Sequence, residues 1–377
     1  MSGMRTIASR DPSLARAPRI VHRRPRRSVT PTADARRRRG DGGEGGRVSF
    51  ISCFPVKGMP RVSLQETTLA TGGCVPHDRE WAVMLGSHAH EWDPDHPEKV
   101  FVARGYRGEH HSSKVKFHQL INAEALADVR LRYDGESKRL TLLPRRAEAK
   151  EDTHDDDQHE EGVLDEVARD VMTAPLLDAR LDTPEGVAEA ERFFDGLLGD
   201  AVQPSADGAT RLRLVTGAPG VTHQFANVGG TADKLLLHLV NHESVRDLER
   251  RTGRVIDVHR FRANVVFEGV PAWKEWDWFG RRLRIGEVEL LVTEPTIRCP
   301  ATEVNPATGE RDMPGPPAGS DDPPALLNRT YPDAKAVVGE LGEMALGGPD
   351  AKGGYVGFYA RVVRGGNLRV GDELEVV

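Results

Sequence analysis

Residues 281–300 read RRLRIGEVELLVTEPTIRCP, and this stretch decides the kind of fold. RRLRIG and EVELLVTE read as successive strands, the second strongly apolar. The chain then breaks at Pro295 into a turn-rich loop that sets Cys299 beside Arg298 and runs on through Pro300, Thr302 and Asn305 to Gly309. Strands continue on both sides, as RANVVFEG (262–269) before it and YVGFYARVVRGG (355–366) and DELEVV (372–377) after it.

The first half follows the same habit. VSFISCF (48–54) alternates, Pro55 to Pro60 break the pattern, SLQETTLA (63–70) resumes it, and EWAVML (80–85) follows a turn at Gly72 and Gly73. Further strands near 128–132 and 138–143 complete a meander. Helical spacing is confined to GVLDEVARDVM (162–172), GVAEAERFFDGLLGD (186–200) and SVRDLERRTG (244–253). In the second, Val187, Phe194 and Leu197 mark the apolar face and Gly199 the stop; in the third, Ser244 is the expected N-cap and Gly253 the close. With 39 Gly and 25 Pro in 377 residues, short strands and turns are favoured over long helices. The expected fold is mainly β with peripheral helices, an α+β arrangement. Residues 1–46 read as a tail, 47–180 as an N-terminal β-barrel domain and 181–377 as a second, β-barrel-like domain.

Charge is unevenly spread. Residues 1–46 hold twelve Arg against three Asp and one Glu, a net of +8, so the remaining 331 residues carry −14. The basic segment lacks apolar periodicity and is expected to be disordered. It reads as a dispensable or over-extended start, as a basic arm, or as an Arg-rich transit peptide. The acidic remainder does not suit nucleic-acid binding. The run AEAKEDTHDDDQHEEG (147–162) reads as a solvated loop that fits no Ca²⁺-loop spacing. No apolar run of about 18 residues predicts a membrane span. Three cysteines and no visible signal peptide point to a reducing cytoplasm.

No Gly-rich nucleotide fingerprint, Walker lysine, HExxH or CxxC occurs. Cys299 is compatible with a soft-metal ligand, an arginine-activated nucleophile or plain packing. Lys57, in a sharp turn after a strand, can present an ammonium to phosphate. Arg79 can fork onto an anion while Asp78 holds it, and structural pairing is the alternative. Arg260, Arg262 and Asn264 share one side if that segment is extended, which suits a grip on an anion or an edge-strand charge pattern. His88, His90, His96, His110, His111 and His118 read as solvated loop histidines, Cys53 as a core thiol and Cys74 as peripheral.

Ordered motifs give these residues a common frame: FPVKGMP (54–60), HDREWAVM (77–84), HRFRANVVFEGVPAWKEWDW (259–278), LRIGEVELLVTEPTIRCPATEVNPATGE (283–310) and GFYARVVRGGNLRVGDELEVV (357–377). From about Val48 to Val377 the chain resembles the MOSC family, the molybdenum-cofactor sulfurase C-terminal domain, preceded by its N-terminal β-barrel companion. The subfamily is the one that contains the mitochondrial amidoxime-reducing component. The resemblance implies that Cys299 ligates molybdenum and that Lys57, Arg79 and Arg262 contact the anionic pterin phosphate. Asn264, Asn241, Ser244 and Arg298 are further cofactor-binding candidates. It implies a molybdenum-dependent reductase of N-hydroxylated or N-oxygenated small molecules. Electrons would come from a separate flavin, haem or iron–sulfur protein. A sulfur-carrier role through a Cys299 persulfide and a non-catalytic cofactor-binding module are the rivals. Pyridoxal phosphate belongs to the wider family, and no lysine context supports it in this sequence. Three departures stand out: Gly58 replaces the serine usual after the lysine, Ala263 replaces the proline of FRPN, and Thr296 lies where relatives often carry a further cysteine.

Overall fold

Apolar alternation in residues 282–292 becomes an antiparallel pair, with Leu283 opposite Leu290 and Ile285 opposite Val288. In the computed structural model, residues 45–95, 116–145, 173–216, 235–313 and 354–377 are described. The predicted helix at 162–172, the acidic run, His96, His110, His111 and nearly all of the basic segment lie outside them. The described strands, in chain order, are β1 (Gly46–Cys53), β2 (Val62–Leu64), β3 (Glu66–Leu69), β4 (Trp81–Leu85), β5 (Val129–Asp134), β6 (Arg139–Pro144), β7 (Leu177–Arg180), β8 (Leu212–Thr216), β9 (Leu237–Asn241), β10 (Val265–Glu268), β11 (Arg282–Ile285), β12 (Val288–Arg298), β13 (Gly354–Arg364), β14 (Gly366–Arg369) and β15 (Glu373–Val376). Two α-helices accompany them, α1 (Pro184–Leu198) and α2 (His242–Thr252). The molecule is mainly β, as its sequence implies.

Seven strands form a closed ring in the order β10, β9, β13, β12, β11, β15, β1 and back to β10, with β2 appended to β1. Strand β1 closes it, pairing Arg47 with Glu268 and with Glu373, and Ile51 with Val265. A bulge between Val48 and Phe50 shifts its register against β10, and on its other edge β1 pairs with β15 and then with β2. Only β9 and β10 run parallel within the ring, and α2 is the crossover between them. Alternate residues Leu237, Leu239, Val265, Phe267, Leu283, Ile285, Leu290, Val292, Phe358 and Ala360 fill the interior. Phe267 stacks on Trp278 with centroids 5.7 Å apart. The opposite faces of β9 and β10, Val240 and Val266, pack with Val245 and Leu248 of α2. These two strands are therefore buried on both sides, which accounts for their continuous apolar runs.

A second apolar cluster gathers Val56, Met59, Trp81 and Val83 with β5, β6, β7, β8 and α1. Helix α1 begins two residues earlier than its periodicity suggests, because Thr183 caps it and Pro184 takes the first helical position. Its most buried stripe is Gly186, Ala190, Phe194 and Leu198, one step round from the expected face. The cap of α2 is Asn241, whose side chain accepts from the Glu243 N–H, and Ser244 instead lies buried inside the first turn. Gly253 closes α2 in the left-handed conformation as expected. His118 is fully buried rather than solvated, and Cys74 is a core thiol like Cys53. Among the described residues, no helix is long and apolar enough to cross a membrane.

Candidate functional site

Two tight turns bring arginines from opposite halves of the sequence together. Arg79 and Arg262 both adopt positive φ, +53° and +54°, which is uncommon for non-glycine residues and concentrates at functional positions. For Arg262 the cause is local. Val258–Phe261 form a 3-10 turn, and Arg262 is its left-handed cap. The segment is thus not extended, and Arg260 does not share a side with Arg262. Arg260 turns away to Asp312 at 2.6 Å, while Arg262 turns inward.

Phe54 is the platform for this pair. The Arg79 and Arg262 guanidiniums lie 4.7 Å and 4.3 Å from its ring centroid, each contact worth roughly 0.5–2 kcal/mol. Asp78, fully buried, accepts from the Phe54 N–H at 2.7 Å and from Arg79 Nη1, so it orients Arg79 as its position in the sequence suggests. Arg79 Nη2 donates to the Arg262 carbonyl at 3.2 Å. Arg262 Nη1 donates to the Met59 carbonyl at 2.7 Å, which ties it to the turn carrying Lys57. That turn is held to β4 by Lys57 N–H donating to Trp81 O at 2.8 Å. Gly58 sits in it at φ +83°, where a Cβ would stand 2.8 Å from Leu126 Cδ1. Serine at this position would therefore be strained here, which explains the departure to glycine.

Arg298, at the end of β12, completes the group. Its Nη2 donates to Phe261 O at 2.7 Å, its Nη1 lies 3.4 Å from His238 Nε2, and its Nε is buried without a partner among the described residues. Burial holds the Arg262 guanidinium down to about 9, with the Arg79 and Arg298 charges adding to the effect. Arg298 is likewise lowered by burial. Among the described residues, Arg262 and Arg298 hydrogen-bond only to carbonyls and one imidazole, never to a carboxylate. Two cations so placed form a ready anion site. Cys299 follows immediately, exposed, and a thiolate there would favour the charge on both arginines. Its carbonyl accepts from Thr302 N–H and Oγ1, which starts the next 3-10 turn. Arg260 and Arg311 clamp that loop, the latter to Glu303 at 2.8 Å and Glu124 at 2.6 Å.

The other candidates divide. Asn264 braces the site from behind, donating to Ser52 O and accepting from His238 N–H. Asn241 and Ser244 are spent elsewhere, on the buried Glu275 at 2.9 Å and 2.6 Å. Burial raises the Glu275 carboxyl to about 7 despite those donors. Phe54, His238 and Tyr359 have no place among the sequence candidates. The signal for His238 was present, a lone polar residue in the apolar run LLLHLV (235–240).

Residues 227–375 match the MOSC domain family. A stretch of 141 residues is 30% identical to mitochondrial amidoxime reducing component 2 of Rattus norvegicus, covering 36% of this chain and 35% of that protein. A stretch of 73 residues is 38% identical to the molybdenum cofactor sulfurase of Drosophila pseudoobscura pseudoobscura, covering 19% of this chain and 9% of that one. The chain thus spans about a third of the first relative and under a tenth of the second. Among solved structures, YiiM from Geobacillus stearothermophilus aligns over 37% of this chain and 53% of its own, at 20% identity and a TM-score of 0.22. The family match runs from before β9 into β15, so the similarity to the MOSC domain takes in Arg262, Arg298 and Cys299.

Proposed function

We propose that the chain binds the molybdenum cofactor and reduces N-hydroxylated or N-oxygenated small molecules, taking electrons from a separate redox protein. One observation carries this reading: two arginines with no carboxylate partner among the described residues feel the charge of an exposed cysteine, in the stretch that matches the MOSC domain. The residues present suit the group. Arg79, Arg262 and Arg298, with Lys57 on the adjoining turn, would hold the anionic pterin phosphate, and the orphaned Arg298 Nε supplies a donor for it. The Cys299 thiolate would be the metal's soft ligand. When bound, the cofactor supplies the two-electron chemistry, R–NHOH + 2 e⁻ + 2 H⁺ → R–NH₂ + H₂O. Asp78 and Phe54 keep the Arg79 and Arg262 guanidiniums fixed, so little ordering is left for binding. The named activity of the rat relative favours reduction.

A second reading has its own support in the sulfurase relatives and the exposure of Cys299. The Cys299 thiolate would attack the terminal sulfur of a donor persulfide, forming Cys299–S–SH and releasing the donor thiolate.

The deciding experiment is to purify the protein from a cofactor-producing host and measure molybdenum and pterin together. Near-equimolar molybdenum, lost in Cys299→Ala, is expected. No molybdenum in the wild type sinks the reductase reading, and cyanide-labile sulfur on Cys299 would favour the second. Bound cofactor without turnover of a hydroxylamine, across several electron donors, would leave a non-catalytic binding module.

A further inference from the structure

Strand β9 is apolar except for Asn241 at its end and His238 within it, the latter 4% exposed. A buried imidazole in a barrel strand needs a reason. Its ring reaches the cluster from behind, with Nε2 at 3.4 Å from Arg298 Nη1 and Nδ1 at 3.4 Å from the Arg262 carbonyl. Across the β9–β13 register it faces Tyr359, with centroids 5.4 Å apart. Room for it is made by Gly357 at φ +78°, where a Cβ would stand 2.8 Å from His238 Nε2. Its own strand position is fixed by Asn264, which accepts the His238 N–H and donates its backbone N–H to His238 O.

We propose that His238 is a positioning residue that aims the Arg298 guanidinium at the bound anion and braces the Arg262 turn. The proposal rests on the reading of this cluster as an anion site. A guanidinium only donates, so the contact with Arg298 is attractive only if Nε2 carries the lone pair. The proton then sits on Nδ1, where it meets the Arg262 carbonyl. One imidazole thereby links the two arginines that lack carboxylates, one through its side chain and one through its backbone. The competing arrangement puts the proton on Nε2 and sets two N–H groups against each other. With Nη2 on Phe261 O and Nη1 on His238, Arg298 has its rotamer fixed and its Nε left for the ligand.

The test uses the full-length protein from a host that does not make the cofactor, with inorganic phosphate as the probe at pH 7.5. Calorimetry should show phosphate binding weakened about three- to tenfold in His238→Leu, the loss of one or two hydrogen bonds. His238→Gln, whose Oε1 can accept from Arg298, should recover to within about twofold of the wild type. On the wild type alone, ¹⁵N-correlated NMR of the imidazole should show the Nδ1–H tautomer, and this arm survives if the leucine variant fails to fold. Three results would overturn the proposal: an Nε2–H tautomer, leucine and wild type binding phosphate equally, or glutamine binding as weakly as leucine. A wild type that does not bind phosphate at all would instead bring down the anion-site reading, and this proposal with it.

Discussion

Replacing Glu275 with Gln should make the protein less stable in mild acid and more stable in mild alkali, and the crossover can be worked from the structure. The Glu275 carboxyl is fully buried, accepts from Ser244 Oγ at 2.6 Å and Asn241 Nδ2 at 2.9 Å, and is raised from 4.5 to about 7 by burial. A carboxyl whose folded value is raised binds its proton more tightly when folded. Its contribution is therefore intact below pH 4.5 and is lost as pH climbs to about 7. That shift corresponds to about 3 kcal/mol lost by neutral pH. Gln cannot ionise, but it replaces one of the two acceptor oxygens with an amide, at about 1 kcal/mol. Below pH 5 the variant should be about 1 kcal/mol less stable than wild type, and above pH 8 about 2 kcal/mol more stable. Urea unfolding of both proteins in parallel, from pH 5 to 9, measures the difference directly. A difference that does not change with pH would refute the reasoning, because it would mean that Ser244 and Asn241 hold the carboxylate ionised at no cost.

His118 should act with the opposite sign. Neither of its nitrogens has a partner among the described residues, and burial lowers it from 6.5 to about 4, so its contribution is whole above pH 6.5 and falls by about 3 kcal/mol as pH drops through 4. His118→Phe should unfold less readily than wild type near pH 4.5 in the same urea assay, with the gap narrowing by pH 7. Asp78→Asn should cost about 3–5 kcal/mol in thermal or urea unfolding, because Arg79 would keep its burial and lose the only carboxylate contact it has among the described residues. Phosphate should restore part of that loss. Phe267→Ala should cost about 3–5 kcal/mol, since the ring is fully buried between Trp278 and Phe358 inside the barrel.

Local chemistry was readable from the residues, and long-range pairing was not. Alternation in VSFISCF and EVELLVTE reports that each segment is extended and which residues share a face. It does not report that Arg47 meets both Glu268 and Glu373 and so closes a ring. Asp78 could be assigned to Arg79 because the two are adjacent. Phe54 could not be seen as the platform, since its partners lie 25 and 208 residues along the chain. The extended reading of 260–264 failed on the 3-10 turn through Phe261 and the positive φ of its cap Arg262, which send Arg260 and Arg262 to different places. Ser244 and Asn241 show the limit of residue-type reasoning. Both are good caps, and the choice between them was made by Glu275, which needs the Ser244 hydroxyl inside the helix. His118 looked like a loop histidine because its neighbours are polar, yet its strand-side position against Val83 buries it.

The cluster also has an energetic logic that links its stability to its ligand. Arg262 and Arg298 are cations held in a low-dielectric setting with carbonyl oxygens as acceptors and another guanidinium nearby. Removing two charges from water costs several kcal/mol per ion, and carbonyl contacts recover only part of it. Phe54, Asp78 and His238 lower that cost without cancelling the charge, which would be the effect of a carboxylate in contact with each arginine. The uncancelled charge is what a phosphate dianion would neutralise, so the same residues that weaken the anion-free fold would give such an anion its affinity. Adding a carboxylate beside Arg262 would therefore stabilise the anion-free protein and weaken anion binding together, the two effects drawn from one electrostatic source.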